Sequence, residues 1–179
     1  MRRIHTLVAA ALTVVVLLHA LCGSFLLLGT SRRPMVFLAW LAAGLLGLHV
    51  GFGLVLTGRT WRNLRCRSRR YIRLNRAFWL RRISGIAILV LLVFHIGMFG
   101  LTEDGTYFLL PFTAVKLAAH LLLIAALALH IAVNLKPLCL ALGCSQLDWQ
   151  SRSIRLVLLV FCGFAAVAGI VYFVRWQYL

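Results

Sequence analysis

The chain has 179 residues, 63% of them hydrophobic, and a mean hydropathy of +1.00. Nineteen Lys and Arg stand against three acids, Glu103, Asp104 and Asp148, giving a formal charge of +16. These figures exclude a soluble globule, which needs many more carboxylates on its surface, and a disordered chain, which is far less apolar.

Five apolar runs each supply the roughly 20 residues that a bilayer core requires. In chain order they cover 4–28, 34–57, 80–101, 112–135 and 154–174, and each is apolar all round. The first is too long for a signal peptide, and no small-residue cleavage site ends it. The expected fold is an all-α integral membrane protein, a single transmembrane domain over residues 1–179. The longest connection, 58–79, is basic, and the segment from Arg59 to Arg82 carries ten arginines. Arg2, Arg3, Lys136, Arg152 and Arg155 fall on the same side, so the positive-inside rule puts the N-terminus in the cytoplasm and the C-terminus outside. The +16 charge therefore reflects topology and attraction to anionic membrane lipid, with a docking face for soluble partners, rather than nucleic acid.

The five cysteines do not organise a site. No C-x-x-C spacing is present for zinc or an iron–sulfur cluster, and no C-x-x-C-H for covalently attached haem.

The histidines carry the chemistry. His5 is expected at the cytoplasmic edge, while His19, His49, His95, His120 and His130 fall inside the spans. One intramembrane histidine usually makes a hydrogen bond between helices, but each of the first four spans carries at least one. At 1.5 Å of rise per residue, His19 lies about 24 Å from Arg3 and His95 about 20 Å from Arg82, both in the outer half. His49 lies about 15 Å from Arg59 and His130 about 9 Å from Lys136, both in the inner half. Two histidines at one depth on different helices suit a bis-imidazole haem iron, so His19 and His95 are the expected outer ligands, and His49 and His130 the inner ones. Gly23 and Gly53, each four residues past a histidine, give a macrocycle room, whereas Gly44, Gly47 and Gly51 read as a close-packing stripe. His120 is rotated about 80° from His130. It cannot share that iron, and is left as an alternative outer ligand or a partner for a propionate or quinone.

The order of these features, five spans with histidines in the first four and none in the fifth, resembles the di-haem cytochrome b membrane-anchor subunit of the succinate dehydrogenase and fumarate reductase family. The run Arg81-Arg82-Ile83-Ser84-Gly85 leading to Phe94-His95 looks like that family's R-x-S-G start of a haem-binding helix. The resemblance implies two haems b in a bundle of the first four helices, held by His19, His49, His95 and His130, with Arg82 and Ser84 near the quinone or the propionates. It also implies electron exchange with a quinone, docking of a flavoprotein and an iron–sulfur subunit on the cytoplasmic face, and residence in a bacterial cytoplasmic membrane. The chain would act as an electron-transfer anchor with no catalytic residue of its own. Two other readings stay open: a small cytochrome b561-like electron carrier, and a non-redox transporter or assembly component with structural histidines.

Overall fold

The computed structural model describes residues 1–31, 35–64, 76–103, 106–144 and 152–178. They form α1 (Arg2–Leu27), α2 (Val36–Leu64), α3 (Arg76–His95), a hairpin of β1 (Gly100–Glu103) and β2 (Thr106–Leu109), α4 (Ala114–Ala141) and α5 (Arg152–Tyr178). All five helices are long and apolar enough to cross a membrane, which makes this a membrane protein. Arg32 lies outside the described residues, as do residues 65–75, half of the basic connection.

The helix ends explain the differences from the expected spans. α3 stops at His95, short of residue 101, because Gly97 takes a left-handed φ of +73° that turns the chain into the hairpin. The hairpin is antiparallel, pairing Gly100 with Leu109 and Glu103 with Thr106, where the sequence predicts only a loop. α4 starts on an N-cap, with the Thr113 side chain accepting from the Lys116 N–H, and Lys116 Nζ donates to the Pro111 carbonyl at 2.8 Å. α4 continues through Pro137 to Ala141 and ends before Gly143, whose φ is +87°. α2 runs on past residue 57 to Leu64.

Pro137 cannot donate the usual bond to the carbonyl of Val133, four residues back. Arg81 Nε of α3 fills that place at 3.2 Å, so a break in one helix becomes a tie to its neighbour. At the opposite end, Gly29 closes α1 with a φ of +76°, and Arg175 of α5 donates to the Leu28 carbonyl at 3.1 Å. A cation at a helix C-terminus is favourable, and this one pins α5 to α1.

α1 packs on α2 and α3 on α4, α5 packs against both α4 and α1, and α1 also touches α4. By contrast, among the described residues α1 with α3, and α2 with α3 or α4, are at most weakly packed. A seam crossed by the α1–α4 contact therefore runs between the α1–α2 pair and the α3–α4 pair. The apolar core sits at the hairpin end, around Leu27, Met98, Phe112, Ala168 and Tyr172. Most other large apolar side chains face outward, as lipid-facing helices require.

Candidate functional site

The seam is bridged by histidines. His19 of α1 and His95 of α3 have ring centres 6.2 Å apart at 76°, and His49 of α2 and His130 of α4 are 6.4 Å apart at 85°. Both pairs join helices that are at most weakly packed on each other. A third pair, His95 and His120, is also 6.4 Å apart, but it lies between the closely packed α3 and α4. A macrocycle has no place between helices in that contact.

The spacing can be tested against coordination geometry. A metal–nitrogen bond of about 2 Å, plus about 1 Å from nitrogen to ring centre on each side, separates two trans imidazoles by about 6 Å. Both seam pairs lie near that figure, as does the His95–His120 contact. A Cβ on Gly23 or Gly53 would meet nothing within 4 Å, as at most of the described glycines. Among the described residues, no three His, Cys, Asp or Glu side chains converge on one metal position.

Hydrogen bonds define which nitrogen of His130 is available. Ser84, buried in α3, directs its hydroxyl to the Leu80 carbonyl at 2.6 Å, and its Oγ lies 3.0 Å from His130 Nδ1. The hydroxyl has one proton, and it is committed to Leu80. Oγ must then accept from His130 Nδ1–H, which leaves the Nε2 lone pair free for a metal. Gly85 lets the ring approach, because a Cβ there would lie 3.5 Å from His130 Cε1. The remaining nitrogens differ: His49 Nδ1 and His95 Nδ1 are buried without a hydrogen bond.

Each residue of the Arg81–Gly85 run except Ile83 has a contact of this kind. Arg82 lies over the Phe78 ring, with Cζ 3.4 Å from its centre, and reaches across the seam to Thr57 Oγ1 at 3.3 Å. It stands at the basic end of the inner pair, while Ile83 is exposed on the lipid side.

One expectation needs correction, and two histidines have neighbours that the sequence does not show. His120 is buried against α5, where a Cβ on Gly169 would come within 2.6 Å of its ring, and it also stacks on His95 at 6.4 Å. Phe99 and Phe112 enclose it. His5, in the first turn of α1, stacks its ring on His49 at 4.8 Å and 18°. Gly44, Gly47 and Gly51 are not packing contacts, since a Cβ on any of them would meet nothing within 4 Å. Gly85 and Gly169 are the close approaches instead, and only the partner helix's histidine distinguishes them from other glycines.

Comparison with family profiles, curated proteins and solved structures finds no match to the chain.

Proposed function

We propose that the chain is a haem b membrane subunit carrying electrons between a quinone pool and a cytoplasmic flavin and iron–sulfur oxidoreductase of the succinate dehydrogenase or fumarate reductase kind. The observation that carries the proposal is the pair of seam-crossing histidine contacts, whose ring centres, 6.2 and 6.4 Å apart, would leave room for one metal ion between two imidazoles. In this reading His19 and His95 hold the outer haem iron, and His49 and His130 the inner one. The haems, when bound, supply one-electron redox chemistry; the chain fixes their position, their axial nitrogens and their separation from water. Ser84 holds His130 in the ligating tautomer, and Arg82 offers a cation beside the inner pair for a propionate.

The two levels are well spaced for a transmembrane relay. His95 is eleven residues beyond Ser84 on α3, about 16 Å of helix rise. That is about half of the roughly 30 Å hydrocarbon core. The basic end would face the cytoplasm and its soluble partners, as the arginine distribution favours.

The reading of the histidines as structural groups has His130 in its support, through the hydrogen bond to Ser84. It gives no partner to the buried Nδ1 of His49 or of His95.

The test is a pyridine haemochrome assay on the purified protein. Two haems b per chain are expected, and a colourless, folded protein would overturn the proposal. In membranes, succinate reduction or fumarate oxidation of the b-type band is expected. A band that responds only to quinol or another donor would favour the cytochrome b561-like reading.

A further inference from the structure

His5 has no place in the function described so far, and its surroundings give it one. Its ring lies flat on His49, with centres 4.8 Å apart and planes 18° from parallel. His49 in turn meets His130 at 85°. His130 is held by the hydrogen bond to Ser84, but His49 has no such restraint, because its Nδ1 is buried without a partner. Rotation of the His49 ring is therefore limited by packing alone, and the flat contact with His5 is the part of that packing that selects a plane. His5 Nε2 is likewise buried without a partner, so the contact acts through the ring face rather than through a proton.

The geometry points to His5 as a positioning residue that sets the plane of the His49 imidazole and keeps the inner pair near perpendicular. This rests on the haem reading of the inner pair. The angle between two axial imidazole planes governs the anisotropy of a low-spin ferric haem. Near-perpendicular planes give the more anisotropic signal, with the larger maximum g value, and parallel planes give the smaller.

The experiment compares electron paramagnetic resonance spectra of the oxidised wild type, His5→Ala and His5→Phe, each with its haem content measured. The wild-type inner haem should show the highly anisotropic signal. His5→Ala should keep both haems but move the inner signal to a lower maximum g or broaden it, with the outer signal unchanged. His5→Phe, which retains a flat ring, should restore the wild-type position. An unchanged inner signal in His5→Ala would overturn the proposal, as would failure of His5→Phe alongside rescue by His5→Gln, which would assign a hydrogen-bonding role. Retention of the inner haem in His49→Ala would also overturn it, by making His5 the ligand. A wild type without haem would instead overturn the underlying reading.

Discussion

Ser84 performs two tasks with one oxygen: it donates to Leu80 and accepts from His130. Replacing it with alanine removes that acceptor from the part-buried Nδ1–H of His130 and leaves the Arg81 carbonyl as its neighbour. Outer-shell partners of a ligating histidine are typically worth about 10–100-fold in metal affinity. Ser84→Ala should therefore speed haem loss from the inner site by about that factor, measured by transfer to a haem-scavenging apoglobin, with the outer site unaffected. A uniform effect on both sites would argue against the assignment. The serine is legible in the sequence only as part of a short motif, because spacing alone does not say which helix Ser84 faces. His5 shows the opposite limit. Its neighbours Arg2 and Arg3 suggest a membrane edge, and Arg59 suggests that His49 lies deep. α2 runs on to Leu64, so Arg59 does not mark the end of its helix, and the two rings meet at one level.

Two elements are joined by features that a helix normally avoids. Pro137 leaves the Val133 carbonyl unpaired inside α4, and Arg81 of α3 supplies the donor. Loss of such a donor exposes a buried acceptor at a cost of about 1–3 kcal/mol. Arg81→Leu should destabilise the protein by about that amount, and by less in a Pro137→Ala background where the helix can close its own bond. Unfolding in a denaturing detergent titration measures both. The second feature is the seat of His120 on Gly169. A methyl group on Gly169 would collide with the ring, and overpacking of this kind typically costs about 1–3 kcal/mol. Gly169→Ala should lower the unfolding midpoint, while His120→Ala with Gly169→Ala should recover much of the loss as a double-mutant coupling. Equal losses in both backgrounds would show that His120 does not fill that space. Helix lengths, the hairpin and these joints lay beyond the sequence for a common reason. An apolar run reports where lipid can be met, but the helix ends at a cap, a proline neighbour or a positive-φ glycine.

At the scale of the whole molecule, the fold is two helical pairs meeting along a seam where α1 touches α4, closed on one side by α5. The pairing of His19 with His95 and of His49 with His130 by depth was legible, because rise along a helix is a constant of the backbone, whereas the level of His49 relative to His5 was not. Lateral position was not, since an all-round apolar helix does not reveal which face meets a neighbour. His120 was ambiguous for that reason until its contact with Gly169 was seen. The proposed orientation has its own check. In a variant keeping Cys144 as the sole cysteine, the exposed thiol should react with a membrane-impermeant reagent in inside-out vesicles and not in intact cells. The reverse pattern would place the basic end outside.

The most direct test of the central claim is haem content and spectrum across four single substitutions, His19→Ala, His95→Ala, His49→Ala and His130→Ala. The account predicts that the first two abolish one and the same b-type component, and the last two abolish the other. Loss of different components from His19→Ala and His95→Ala, or unchanged haem in all four, would contradict it.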